Sequence, residues 1–206
     1  RLFTMQSGGN VAVVSRSTKA AMAQVAGLPQ TVVMVDPADA PEDQSRWPAL
    51  QGPHNLENAL AARAICAALG LSDVEIEAGL ASYASLPHRM ERIGTHNGVL
   101  FVNDSKATNT DSAAPALAAF PPDPAINDGA PRIHWIVGGL PKEDGLGACA
   151  QHLANVAAAY TIGEAGPRFA ELLEPHVHVE RSELLCEATR RAVAAARPGD
   201  VVLLSP

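Results

Sequence analysis

The chain has 206 residues, a net charge of −7, 47% hydrophobic and 18% charged side chains. Those proportions can bury a core and exclude a disordered chain. The acidic balance excludes a basic nucleic-acid face, so no nucleic-acid partner is expected; no apolar run is long enough to cross a bilayer, so no membrane insertion is expected either.

The opening RLFTMQSGGN has neither an initiator Met nor a signal-peptide pattern, and the chain is expected to start inside a longer protein. Residues 11–15 (VAVVS) and 31–35 (TVVMV) are short apolar runs of the kind that form buried strands. Between them Thr18 to Ala26 has helical composition and is stopped by Gly27 and Pro29. Residues 36–53, rich in Pro and Asp, read as a connection with little regular structure. A helix is predicted from Asn55 to Leu69, with Gly70 as its stop. Asn55 and Asn58 share a face of it, although Asn55 also suits an N-cap. Ser72 and Glu75 form a capping box that starts a helix to Tyr83. Leu86-Pro87 then breaks the chain and is the expected domain boundary.

A loop carrying Arg89 and a turn at His96-Asn97-Gly98 lead into a strand over 99–103. A helix is predicted over 110–119, where Pro115 is tolerable if it falls in the first turn. Residues 121–131, with four prolines, read as a mobile polar insert. Strands at 132–137, 158–162, 177–180 and 200–204 alternate with helices at 146–155, 165–173 and 182–196. That alternation predicts an α/β fold whose second part is a Rossmann-like parallel sheet of five strands. Neither G-x-G-x-x-G after the first strand nor G-x-x-x-x-G-K-[ST] occurs, so the sequence carries no dinucleotide fingerprint and no phosphate loop.

Cys66, Cys149 and Cys186 fit no zinc spacing and no disulfide framework, and are expected as reduced thiols of a cytoplasmic protein. His176 and His178 gather no further ligands, and no metal site is expected in this chain. Twelve Arg stand against three Lys, at 19, 106 and 142, and the last two follow predicted strands. A carboxylate, an ammonium and a hydroxyl at a strand's carboxyl end (Asp104, Lys106, Thr108), with Arg89 nearby, suit a phosphorylated or carboxylated ligand. The plainer alternatives are an exposed Asp104–Lys106 ion pair and Thr108 as a helix cap.

GPHNLEN (52–58), LPHRME (86–91), NDSKATN (103–109), GGLPKEDG (138–145) and VLLSP (202–206) together resemble the Mur ligases. The resemblance implies that residues 1–86 are the end of a central α/β ATPase domain and residues 87–206 most of a carboxyl-terminal Rossmann-like domain. It implies ATP-dependent amide ligation, adding D-glutamate to UDP-N-acetylmuramoyl-L-alanine through an acyl phosphate in peptidoglycan precursor synthesis. By the same likeness Asn55 and Asn58 meet the adenine side of ATP, Arg89 its phosphates, and Asp104 the ribose or metal–phosphate region. Lys106 and Thr108 lie at the amino-acid and phosphate end, with Arg89 and Lys106 in the catalytic roles, and Lys142 pairs with a glutamate carboxylate. ATP and Mg2+ are the implied cofactors, the Mg2+ ligands falling in central-domain sequence outside this chain. A monomer is expected, inactive without the missing part. A folylpolyglutamate-type ligase and a non-enzymatic nucleotide-binding regulatory domain are the alternatives.

Overall fold

The computed structural model describes Met5 and residues 7–39, 43–139 and 145–206. Lys142 lies outside the described residues. The chain divides into two compact units, Arg1–Tyr83 and Ala84–Pro206.

In the first unit β1 (Val11–Ser15) runs parallel to β2 (Thr31–Val35), joined through α1 (Lys19–Val25). The helices α2 (Pro53–Ala68) and α3 (Asp73–Ser82) follow. Pro53 occupies the first helical position, where its missing N–H costs nothing. The expected Ser72–Glu75 capping box is formed from both sides, Ser72 N–H donating to Glu75 Oε2 at 2.8 Å. The connection between β2 and α2 is mostly turns, yet it supplies the centre of this unit's core. Trp47 is buried there among Leu50, Leu56, Ala59, Ile76 and Leu80. Its indole N–H donates to Glu77 Oε2 at 3.2 Å. Gln51 Nε2 donates to the carbonyls of Gln44 and Trp47 and folds the turn over the ring.

The second unit is a six-stranded sheet. β3 (Glu91–His96) and β4 (Val99–Asn103) form a hairpin. Asn97 and Gly98, at φ 50° and 77°, give it the two-residue turn whose twist matches the strands. β5 (Ile133–Gly138), β6 (Val156–Ile162), β7 (Val179–Glu183) and β8 (Val201–Leu204) complete the order β3-β4-β8-β5-β6-β7. All neighbours are parallel except β3 against β4. The sheet thus has one strand more than the five expected, because β3 joins as an antiparallel edge.

Side chains alternate between the faces with the period of a strand. Ile133, Trp135 and Val137 of β5 and Val201 and Leu203 of β8 pack with α4 (Thr110–Ala118) and Cys149. Ile136, Tyr160 and Val202 pack on the other face, with Ala188 and Ala192 of α6 (Leu185–Ala195). The helix α5 (Gly166–Leu173) follows β6.

Four expectations change. Pro115 is the sixth residue of α4, past the first turn, and removes the donor for the Asp111 carbonyl. The Gly147–Asn155 segment winds as a 3₁₀ helix rather than an α-helix. β7 begins two residues later than expected and extends to Glu183, along a polar edge strand. The 121–131 insert is pinned rather than mobile: Asn127 Nδ2 donates to the buried Asp200 Oδ1 at 2.7 Å. Arg132 Nε also donates to Pro121 O at 3.0 Å.

Candidate active site

The register of β4 with β8 pairs Asn103 with Leu204 and brings Asp104 beside Ser205 at the carboxyl end of the sheet. Asp104 is buried there, 6% exposed. Its Oδ1 accepts the Met90 N–H at 3.0 Å, and its Oδ2 accepts the Ser205 hydroxyl at 3.1 Å. Burial pushes its carboxyl above the ordinary value, opposed by the Met90 and Ser205 hydrogen bonds and the Arg89 charge. The exposed ion pair weighed for Asp104 and Lys106 does not form, because the carboxylate turns inward while Lys106 stays exposed.

The two most specific sequence motifs are the two halves of one clasp. His88 and Met90 adopt left-handed backbone on either side of Arg89, at φ 64° and 47°. Such residues persist only where the surroundings fix them, and here the NDSK segment does so. Asn103 Nδ2 lies 2.9 Å from His88 Nδ1, and the Lys106 N–H donates to His88 O at 3.0 Å. The His88 N–H donates to Glu91 Oε2 at 2.8 Å. The Arg89 side chain is left exposed, with Lys106 on the strand end opposite.

Beside the clasp lies a pocket of about 250 Å³. Its polar lining includes the exposed Thr108 and Asn109 and the buried Ser205, and its apolar lining includes Trp135, Val137 and Phe169. Gly139 and Gly145, which flank the undescribed segment containing Lys142, both line it. Asn109, not Thr108, caps α4, its Oδ1 accepting the Ser112 N–H at 2.8 Å. Thr108 is exposed at the pocket instead. A Cβ on Gly138 would stand 2.0 Å from Ile162 O, so only glycine lets β5 reach the pocket against β6. Thr108 and Asn109 thus bring polar side chains to an otherwise apolar pocket, and Lys106 lies two residues before Thr108.

Asn55 and Asn58 belong to the first unit. Gly52, not Asn55, is the N-cap of α2. Asn55 is the third residue of the helix and donates through Nδ2 to Gln51 O at 3.1 Å, and Asn58 is exposed. Between them, Glu57 accepts the hydroxyls of Ser15 and Ser17 and ties the helix to the end of β1. The Ser15 hydroxyl, then that of Ser17, holds its carboxyl below the ordinary value. Among the described residues no three His, Cys, Asp or Glu side chains gather as a metal site. Ser205 and Trp135, whose indole N–H donates to Ser205 O at 2.8 Å, carried no individual signal in the sequence.

A mostly parallel sheet with a pocket at its carboxyl end is the α/β architecture in which ligands bind beyond the strand ends. Residues 88–206 match the family described as "Mur ligase, glutamate ligase domain", and the chain belongs to the Mur ligase family. The UDP-N-acetylmuramoylalanine--D-glutamate ligase of Novosphingobium aromaticivorans is 60% identical over 163 residues, 79% of this chain and 34% of that protein. The protein of the same name from Sphingopyxis alaskensis is 48% identical over 207 residues, 100% of this chain and 46% of that protein. The chain therefore spans between a third and a half of these relatives. A bifunctional folylpolyglutamate synthase/dihydrofolate synthase from Yersinia pestis, crystallised with AMPPNP and a Mn ion, superposes with a TM-score of 0.61 at 22% identity. That alignment covers 96% of this chain and 50% of the other, and shows a shared fold.

Proposed function

We propose that this chain is part of a cytoplasmic, monomeric ligase that adds D-glutamate to UDP-N-acetylmuramoyl-L-alanine at the expense of ATP. The 60% identity to a relative of that name carries the reading. In the reaction the γ-phosphoryl group passes from ATP to the alanyl carboxylate, and ADP leaves. The D-glutamate nitrogen then attacks the acyl carbon, the amide C–N bond forms and a proton leaves the nitrogen. The C–O bond breaks, and inorganic phosphate departs with its electron pair. Divalent metal, when bound, offsets phosphate charge.

The roles proposed for this chain's residues follow their chemistry. An Asn amide offers the donor and acceptor that an adenine edge requires, which suits Asn58 and the free carbonyl oxygen of Asn55. Arg89, exposed on its bracketed loop, has the fork of donors that suits phosphate. Lys106 serves the transferring phosphoryl group, and Thr108 and Lys142 the glutamate at the pocket rim. Asp104 belongs to the same cleft end. Closing such a site excludes water from the acyl phosphate.

The test uses the protein at its natural full length with ATP, Mg2+, UDP-N-acetylmuramoyl-L-alanine and D-glutamate. Phosphate release that requires both substrates, with the amide product seen by mass, is expected. Turnover only with a folate and glutamate, or nucleotide binding without turnover, would refute the reading.

A further inference from the structure

Ser205 is held by three hydrogen bonds. Its N–H donates to Ile136 O at 3.2 Å, its carbonyl accepts the Trp135 indole N–H at 2.8 Å, and its hydroxyl donates to Asp104 Oδ2 at 3.1 Å. Trp135 and Ser205 also line the pocket. The other Asp104 oxygen holds the Met90 N–H, one residue from Arg89. An unbroken line of hydrogen bonds thus runs from the pocket wall to the bracket that presents Arg89.

We infer that Ser205 is a positioning residue that ties the acceptor pocket to the Arg89 loop through Asp104. Each Asp104 oxygen accepts one of these inward hydrogen bonds, so Asp104 is the link in the same line. The physical reason lies in the loop's geometry. His88 and Met90 stand at φ 64° and 47°, which ordinary side chains avoid. Releasing the Met90 N–H from Asp104 leaves the loop free to relax and to turn Arg89 away. Without the Ser205 hydroxyl, Asp104 loses one of its two donors while still buried, and its grip on Met90 is no longer fixed in direction. The kinetic half of this inference rests on the proposed ligase reaction; the structural half does not.

Ser205→Ala in the full-length protein tests it by two readouts. Amide hydrogen exchange at Met90 should rise at least about tenfold, the scale of one hydrogen bond to a charged group. Protection along β5 and β6 should be kept. In steady state, kcat should fall by about the same factor with the D-glutamate KM unchanged within about twofold, because the Arg89 phosphate contact, not the pocket, is disturbed. A second variant, Asp104→Asn, and the double variant complete a cycle. The double variant should lose no more than Asp104→Asn alone, since both act through one line. The inference is overturned by unchanged Met90 exchange or by unchanged kcat. It is equally overturned by additive losses in the cycle, or by exchange rising across β5 and β6 alike, which would make Ser205 an ordinary core residue. Absence of D-glutamate-dependent turnover in the unmutated protein would instead sink the ligase reading, and the exchange readout would still decide the role of Ser205.

Discussion

Asn127 donates through Nδ2 to Asp200 Oδ1 at 2.7 Å, across 73 residues of sequence. Asp200 is 1% exposed, and its other oxygen accepts the Arg197 N–H at 2.7 Å. The turn-rich insert is therefore a strap over the start of β8. Asn127→Gly should destabilise the second unit by about 1.5–3 kcal/mol, the cost of removing a hydrogen bond to a charged group. Asn127→Ala should cost more, by about 1 kcal/mol, because alanine must also hold φ 50°. Denaturant unfolding of both variants checks this. Replacing 121–131 with a Gly-Ser turn should do comparable harm; a harmless replacement would show that the strap carries nothing.

On the α6 face, His134 lies buried between Tyr160, 3.0 Å from Nδ1, and Asp200, 3.3 Å from Nε2. The geometry fits a neutral ring with Nε2–H donating to Asp200 and the Tyr160 hydroxyl donating to Nδ1. Burial pushes Tyr160 up to about 12, so the phenol keeps its proton. Burial is also the largest influence on His134 and lowers its pKa below 6.5; hydrogen bonding to Asp200 opposes it, and the Arg197 charge adds to it. The unfolded chain then takes up the proton first as pH falls. Stability from this site is present above about pH 6.5 and is lost as pH drops from there toward the folded pKa, by at most about 1.4 kcal/mol per pH unit. Unfolding free energies at pH 7.5 and 5.5 should show the loss, and His134→Gln should flatten it. An equal slope in the variant would place the titration elsewhere.

The strands that the sequence revealed are those with apolar runs. VAVVS, TVVMV and VLFVN announce themselves by β-branched and aromatic residues, and Asn97-Gly98 announces the hairpin. Edge strands were harder. ERIGTH is exposed along most of its length, VERSE at two of its five positions, and neither shows apolar alternation. At the site, NDSKATN and LPHRME marked the right stretches, but not that they hold each other. The partners of Asp104 are a backbone N–H fourteen residues upstream, brought there by the β3–β4 pairing, and a hydroxyl 101 residues downstream, brought there by the β4–β8 register. Local composition carries no trace of such a pairing. For the same reason the Asn127 strap looked like a loose insert.

Close approach at Gly138 gives a sharp comparison with Gly79. An alanine at 138 would press its Cβ into the Ile162 backbone, so β5 and β6 must part. Gly138→Ala should cost roughly 3 kcal/mol, at the upper end for overpacking, and open the pocket floor. Gly79 is exposed in α3, with nothing within 4 Å of a Cβ. Gly79→Ala should stabilise the first unit by about 0.5–1 kcal/mol through helix propensity. Thermal unfolding of the pair reads both signs, and a neutral Gly138→Ala would mean that the strand ends are looser than they look.

The two lysines proposed for the reaction should separate kinetically. Lys106 is exposed, and its backbone N–H is fixed to the carbonyl of His88, the residue before Arg89. Among the described residues it forms no ion pair. If Lys106 serves the transferring phosphoryl group, as proposed, its removal should act on the transition state. Lys106→Ala should lower kcat by about 10- to 100-fold, matching the loss of a charge-assisted hydrogen bond. Lys142 follows Gly138 and Gly139 in sequence, and Gly139 and Gly145 on either side of it line the pocket. A lysine that grips the glutamate carboxylate equally in ground and transition states should show itself in KM alone. Lys142→Met should therefore raise the D-glutamate KM by about the same factor and nearly keep kcat. Both variants are assayed at natural full length with saturating ATP and nucleotide precursor. An unchanged D-glutamate KM in Lys142→Met would reduce that lysine to a surface charge on a glycine-rich loop.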